Sequence, residues 1–528
     1  MRAKYLVGVD FGTTCSRSAV YDINGNELGS GISENEIEYP EPGAFVYDGD
    51  KAIANLHKTT AEAIKSSGIN PNDIAAISFA CARGCYVMYD KDDNFASPLI
   101  LWPDTRAGVI ADWMRQRLQD CGYSEDRLYE DTGFPYSPGW PITRIVWFRG
   151  AYPKQWENVT RIGTLQSVVQ KAYNLDSSID VSEDANWLQM LYATSMKPIP
   201  EIYAAWGVDP GLLTNFVPAG TPVGKISAEI SAKTGLPEGT PIICGSGDQE
   251  CNLIGTGSTA PGLVSVYAGT CGTVIARIDE YRLDPYKTLN ICGAPGGAWE
   301  MEGSVSGAGG SLKWFRDALC AADVREAAAA GIKDFAYLDQ MAERAPVGSN
   351  GALFLPFVNG AGTPKFDGCA RGCFIGLNKH TGRNEFTRAV MEGSTYELRA
   401  VMSLLEKQEN LPIDAIRFSG GGANSAIWNQ IVADIMGYPT ASVNTPESSC
   451  LGAAIIAAVG IGLYSDVMEA AQKMVKVRRV WEPIPRNVEI YNEQYAIHQG
   501  CYKALSDSGM FKRIAERESE LISTVHST

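Results

Sequence analysis

The sequence predicts an α/β chain of two large lobes or three smaller units, and an internal echo favours two lobes of related topology. Three observations carry this expectation. The chain has 528 residues, more than the roughly 100–200 that one ordinary domain holds. Short apolar runs of β character alternate with helical stretches along its length. The opening arrangement of strand, Gly/Thr turn and strand also returns from Gly262 onward, a structural echo that places a lobe boundary near residues 250–260.

The elements follow in order. Residues 5–10 are apolar and alternating, which suits a buried strand, and Phe11-Gly12-Thr13-Thr14 is a tight turn. Ser18–Tyr21 is a second strand ending in the turn Asp22–Asn26, so the chain opens as an antiparallel meander. Lys51–Ser67 reads as a helix, Ala75–Phe79, Tyr86–Tyr89 and Pro98–Trp102 as strands, and Ala107–Gln119 as a helix. Aromatics and prolines crowd residues 134–148 and suggest a pocket wall. A buried strand at Pro241–Gly245 precedes the second meander. Helices are then expected at Gly310–Ala321, Glu385–Gln408, Ser425–Met436 and Ser448–Ile461. Tyr491, Tyr495, His498 and Tyr502 fall on one face of a packed C-terminal helix.

Composition bounds the function. The chain is 45% hydrophobic and 20% charged, enough to bury a core, which excludes global disorder. It carries 45 basic against 61 acidic residues, a net charge of −16. That argues against nucleic acid and anionic lipid as partners. The start, Met1–Asp10, ends its short apolar run in a carboxylate and reads as no signal peptide. The longest apolar stretch, Leu451–Leu463, is shorter than the ~20 residues a bilayer needs. A soluble, cytoplasmic protein is expected, with its 13 cysteines reduced. Cys81/Cys85 and Cys369/Cys373 are Cys-x3-Cys pairs, but His57, His380, His498 and His526 make no familiar ligand spacing with them.

Four motifs carry chemistry. Asp10-Phe-Gly12-Thr13-Thr14 ends a strand: glycine bares backbone N–H groups, hydroxyls add donors, and the carboxylate can hold Mg²⁺ through water. A hairpin turn without a ligand is the alternative. Ala268-Gly269-Thr270-Cys271-Gly272-Thr273 repeats this chemistry, and together the turns could grip a triphosphate. Ser419-Gly420-Gly421-Gly422-Ala423-Asn424-Ser425 joins a strand to a helix and lets a ligand approach the helix N-terminus. Cys244-Gly245-Ser246-Gly247-Asp248-Gln249 presents one carboxylate after a strand, either a general base facing a substrate hydroxyl or a helix N-cap. There is no Gly-x4-Gly-Lys-Ser/Thr loop and no dinucleotide fingerprint.

This ordered set, with Gly372-Cys-Phe374-Ile-Gly376-Leu377 and Glu385-Phe-x-x-Ala389-Val-Met-Glu392, resembles the FGGY carbohydrate kinases over residues 5 to about 505. The resemblance implies a two-lobed actin-like (ribonuclease-H-like) ATPase fold with a cleft between the lobes. It divides the chain into residues 1–252 (sugar, first phosphate turn, catalytic Asp), 253–484 (nucleotide) and 485–528 (a helical extension packed on the second lobe). It implies ATP and Mg²⁺, a small sugar, polyol or sugar acid as acceptor, and Asp248 as catalytic base. By position, Thr13, Thr14, Arg17, Thr270, Gly309, Lys313, Gly421, Gly422 and Ser425 would contact nucleotide. Arg83, Asp104, Arg106, Asp248 and Gln249 would contact sugar, and Asp10 and Asp248 the metal. Relatives are commonly homodimers. Glycerol kinases carry Arg-Glu where this chain has Arg83-Gly84, xylulokinases carry Gln-Met-His-Gly where it has Cys81-Ala-Arg-Gly84, and Gly-Glu-Arg-x-Pro becomes Gly360-Ala-Gly-Thr-Pro364. A pentulose-like or autoinducer-2-like acceptor is favoured. A non-catalytic sugar or nucleotide switch on the same fold is the alternative.

Overall fold

The computed structural model describes residues 4–185, 187, 191–445 and 447–525. Met1 to Ala3 and His526 lie outside the described residues. The chain forms two compact units, neither continuous in sequence. The first gathers Met1–Ala260, Arg277–Met301 and Glu447–Lys476; the second gathers Pro261–Ala276, Glu302–Pro446 and Val477–Thr528. A single cut at 252/253 follows the chain, but packing does not.

The first unit is built on a mixed sheet. Its strands are β1 (Tyr5–Phe11), β2 (Cys15–Asp22), β3 (Glu27–Glu34), β4 (Ile74–Cys81), β5 (Pro222–Lys225) and β6 (Pro241–Ile243), in the order β5-β6-β4-β1-β2-β3. β1 and β2 form the expected antiparallel meander. β3 extends it; its half-exposed pattern hid it from the hydrophobic reading. β4 runs parallel to β1, with Asp10 opposite Ala80 and Phe11 opposite Cys81. The short strand Ser246–Gly247 also runs parallel to β4, with Gly247 opposite Cys81. Three parallel strands therefore end at one edge, and the residues just beyond them converge there.

Three helices pack around this sheet. α1 (Gly49–Ser67) starts at Asp48, whose carboxylate accepts the Lys51 N–H, and ends at Gly68 in the left-handed region. The other two, α2 (Asp248–Gly255) and the apolar Ala/Gly helix Ser448–Gly460, cross at glycines. A β-carbon on Gly452 would lie 1.8 Å from the Cys251 carbonyl oxygen, and one on Gly255 1.9 Å from that of Ser448. Gly8 of β1 meets the Cys450 carbonyl in the same way, at 1.9 Å. Most of the longest apolar run is thus a helix buried over residues 448–458, which comes closest to its neighbours where side chains are missing.

Residues 134–148 are not a loose wall. Pro141–Ala151 is a helix opened by proline at its first position, and it buries Ile142, Ile145, Val146 and Phe148. Residues 106–120 start as a 3₁₀ turn, Arg106–Ile110, before the α-helix Ala111–Asp120.

The second unit repeats the opening topology. β7 (Gly262–Ala268) pairs antiparallel with β8 (Gly272–Ile278) and parallel with β9 (Ile413–Ser419). The parallel pair carries its register irregularity after the first residue, as β1 and β4 do. β10 (Thr440–Val443) continues in parallel, and β11 (Val477–Trp481) adds antiparallel to it. Its helices include α3 (Gly309–Leu319), α4 (Arg383–Leu405), α5 (Ala426–Met436), α6 (Pro485–Asp507) and α7 (Met510–Val525). Inside α4 the segment most specific to the resemblance has an architectural task. Buried Glu392 accepts from the Gly348 N–H at 3.1 Å, Ser349 Oγ at 2.8 Å, Arg388 Nε at 2.7 Å and the Tyr491 hydroxyl at 2.7 Å, fastening α6 to α4.

Candidate active site

The strand edge of the first unit collects the carboxylates. Asp10, the penultimate residue of β1, is half-buried, and its buried Oδ1 has no hydrogen-bond partner among the described residues. Burial pushes its carboxyl well above the usual range; the charges of Asp248 and Glu447 add to this, and Arg17 opposes it. A half-buried carboxylate with an orphaned oxygen beside other carboxylates suits a cation or its water shell. The following turn is braced from outside. Asn35 Nδ2 donates to the carbonyls of Gly12 (2.9 Å) and Thr13 (3.1 Å), the Asn35 N–H to that of Thr14 (2.9 Å), and Trp102 Nε1 to Thr13 Oγ1 (3.0 Å). Arg17 is held by Glu27 at 2.8 Å and Glu447 at 3.4 Å.

Asp248 is the first residue of α2, and Gly247 occupies the cap, so the N-cap alternative for Asp248 is removed. Its side chain keeps 27% exposure, while its backbone is fixed by Ser449 Oγ donating to its carbonyl at 3.0 Å. Gln249 Nε2 donates to Asp248 Oδ2 at 3.2 Å. Burial raises the Asp248 pKa and the Arg83 charge opposes the rise. Gly247 is required here, because a β-carbon would fall 2.1 Å from Glu250 Oε2 and 2.5 Å from Arg83 Cδ.

Arg83 is the hub. Its Nη1 contacts Glu250 Oε1 at 2.7 Å and Glu300 Oε1 at 3.3 Å, and its Nε lies 3.6 Å from Asp248 Oδ1. Its guanidinium sits 4.4 Å over the Trp187 ring, which packs edge-on against Trp140 and Phe134. The sequence reading placed Arg83 against sugar; the structure commits most of it to protein carboxylates. Asp104 and Arg106 are engaged with each other and with neighbouring protein groups. They form a bidentate pair with each other (2.8 and 3.0 Å to Oδ2), Asp104 accepts the Phe45 N–H, and Arg106 Nη1 reaches Glu41 at 2.6 Å. This pair clamps a loop.

Sequence reasoning missed Glu250, Glu300, Glu447 and Arg144. Glu250 was legible, since it directly follows Asp248-Gln249. The others carry no local signal. Arg144 is buried and donates to the carbonyls of Trp102 and Gly84, tying the Thr13 turn to the Arg83 loop.

In the second unit three loops meet at the end of β7. The Thr270 carbonyl accepts the Gly310 N–H at 3.0 Å, and a β-carbon on Gly309 would lie 2.6 Å from the Gly269 oxygen. At Gly420, with φ 80°, a β-carbon would lie 2.8 Å from the Ala268 oxygen. Gly422 packs on Ala268, while Gly421 faces open space. Ser425 caps α5, accepting the Trp428 N–H at 3.1 Å and donating to Asp339 at 2.7 Å. Bare backbone and two helix N-termini thus surround one strand end, a setting that suits phosphate and nucleotide. Lys313 does not join them: it is exposed and paired with Asp317 at 2.9 Å. Gly362 is held by close approach, since a β-carbon there would sit 2.3 Å from the Ser304 oxygen.

Comparison with known proteins agrees with this layout. The profile described as the FGGY family of carbohydrate kinases, N-terminal domain, matches residues 5–255, and its C-terminal counterpart matches residues 254–461. The chain belongs to the FGGY family of carbohydrate kinases. It is 26% identical over 520 residues to the autoinducer-2 kinase of Enterobacter sp. (strain 638), covering 96% of each chain. It is also 26% identical to the gluconokinase of Bacillus subtilis (strain 168), covering 98% of this chain and 99% of that one. The ligand-bound xylulose kinase from Lactobacillus acidophilus superposes with a TM-score of 0.83 at 23% identity, over 95% of this chain and 98% of that one. Plasmodium falciparum glycerol kinase with ADP gives 0.78 at 17% identity, over 93% and 97%. The fold is therefore the two-lobed actin-like α/β fold. This FGGY chain is an ATP-dependent sugar kinase, a phosphotransferase with an alcohol acceptor, and the non-catalytic alternative is not favoured.

Proposed function

We propose that the first unit binds a small sugar or polyol, with a pentulose-like or autoinducer-2-like acceptor favoured, and that Asp248 takes the proton from its attacking hydroxyl. The observation that carries this is the position of Asp248: backbone-anchored, partly open to solvent, at the edge where β1, β4 and Ser246–Gly247 end. Its raised pKa makes the ionised carboxylate a better proton acceptor than a free aspartate. Arg83 holds it from the Nε side and Gln249 from the other oxygen. The γ-phosphoryl of ATP passes to the activated oxygen. Phosphoryl transfer asks the protein mainly for positioning and charge stabilisation.

The nucleotide is assigned to the loops at Thr270, Gly309 and Gly421–Ser425 of the second unit, and the Thr13–Thr14 turn of the first unit is a phosphate-binding turn by its Gly/Thr chemistry. Mg²⁺, which spreads phosphate charge when bound, would be held by Asp10, with Asp248 as the neighbouring carboxylate; the unpartnered Asp10 Oδ1 fits that role. The assignment gives Lys313, Asp104 and Arg106 no contact with ligand. Among the described residues no helix is long and apolar enough to cross a membrane, and an ATP-consuming sugar kinase is assigned to the cytoplasm. A homodimer is the proposed assembly.

The test is Asp248→Asn. It should fold and bind ATP while sugar-dependent ADP release drops by ~10²–10⁴. Near-normal turnover in that variant would remove Asp248 as the base.

A further inference from the structure

We infer that the acceptor site selects neutral polyhydroxylated sugars against sugar acids, and that Glu250 and Glu300 set this selectivity by neutralising Arg83. The inference rests on the reading of Asp248 as the acceptor-side base and narrows its substrate class.

The argument starts from charge. Arg83 is the cation that reaches Asp248, and a sugar carboxylate arriving there would need it as a partner. It is already surrounded. Glu250 and Glu300 contact the same nitrogen, and both side chains are 0% exposed. Asp248 lies against its Nε, and Trp187 covers one face of the guanidinium. One positive charge therefore stands against three carboxylates. An incoming carboxylate meets net negative charge in a region where water cannot screen it. It also cannot displace either glutamate without leaving a buried charge unpaired.

The other nearby cations offer no relief. Arg106 is bidentate to Asp104 and paired with Glu41. Arg144 is buried and donates to two backbone carbonyls. Arg17 is held by Glu27 and Glu447. A neutral hydroxyl suits the same surroundings, since it donates to a carboxylate and needs no cation of its own. Specificity then comes from repulsion built against the wrong ligand.

Matched pairs test this: D-glucitol against D-gluconate, and ribitol against ribonate, with D-xylulose as a ketose reference. Binding is measured by titration calorimetry and turnover by coupled ADP release. The wild type should accept neutral members over their acids by about 100-fold or more, since like-charge juxtaposition of this kind costs several kcal/mol. Glu300→Gln and Glu250→Gln each remove one negative charge and should narrow that ratio at least ~10-fold. An acid bound or turned over as well as its neutral counterpart overturns the inference. So does the absence of binding by every neutral member, or a ratio that neither glutamine variant moves. Should a glutamine variant fail to fold, the wild-type ratios and the other variant decide. Failure of the base assignment is read separately: turnover retained by Asp248→Asn strikes that assignment alone, while the calorimetric preference stands or falls by itself.

Discussion

Gly452→Ala measures how tightly Asp248, the proposed base, is tied to the buried glycine crossing. The new methyl group would be built 1.8 Å from the Cys251 carbonyl oxygen, 2.5 Å from its carbon and 2.8 Å from its Cα. All three are backbone atoms of α2, so no side chain can swing aside. Contacts below 3.0 Å are essentially never made, so the two helices must separate by about 1.2 Å, the gap between 1.8 and 3.0 Å. Overpacking of this kind costs ~1–3 kcal/mol even where side chains can adjust, and the upper end applies here. The same shift moves α2, whose first residue is Asp248, and loosens the Ser449–Asp248 hydrogen bond. A displacement near 1 Å at a reacting group can cost ~10²-fold in rate. Urea unfolding followed by circular dichroism reads the first effect, and steady-state turnover reads the second. Gly500→Ala is the control: Gly500 lies inside α6 with nothing within 4 Å of the added carbon. It should gain ~0.5–1 kcal/mol, as an alanine does over a glycine in a helix. The reasoning is refuted if Gly452→Ala unfolds at the wild-type midpoint and keeps turnover within a few-fold.

Other perturbations separate the remaining parts. His498 is buried, donates from Nε2 to the Phe354 carbonyl at 3.0 Å and accepts at Nδ1 from Gln499, so the folded state holds it neutral with a pKa lowered to about 4 by burial. The unfolded chain then binds more protons between pH ~6.5 and ~4, so stability falls as pH drops through that window, by up to about 3 kcal/mol; His498→Gln should flatten this part of a pH–denaturation series, and an unchanged slope counts against the assignment. Asp10→Asn replaces a half-buried carboxylate with an unpartnered oxygen by a neutral amide; the ligand-free protein should melt higher at pH 7 while Mg²⁺-dependent turnover falls, and a lower melting point would contradict the isolation of Asp10. Ser425→Ala removes the cap of α5 and should cost about 1 kcal/mol in chemical unfolding. It should also weaken ATP binding measured by calorimetry; full retention of both would show the cap to be idle.

The backbone of the candidate site was legible because it is made of short local devices. A strand ending in Asp-x-Gly-Thr-Thr, a strand ending in Gly-Asp-Gln and a glycine run before a helix each need only neighbouring residues, and β1, β7, α2 and α5 appear where those patterns lie. The amphipathic and buried helices were likewise readable from period and composition. The Asp104–Arg106 pair shows the limit. Proximity to the Arg83 loop suggested a ligand contact, but the two side chains, two positions apart, satisfy each other first. Lys313 likewise pairs locally, with Asp317 one turn on.

From residue order alone came the α/β character, the two lobes, the repeated strand–turn–strand opening and the glycine-rich loops at strand ends, because backbone geometry and periodicity are local properties; the assignment of Asp248 as base came from the family resemblance. Tertiary packing decided which charges meet. Glu300 stands 217 positions from Arg83 and Glu250 stands 167, yet they share one guanidinium nitrogen. Packing also returned Ser448–Gly460 to the first unit, against Gly8 and Gly255. A buried ion pair exists only where remote backbones approach within a few ångströms, and that approach depends on register and on missing side chains at crossings, neither of which a local pattern encodes.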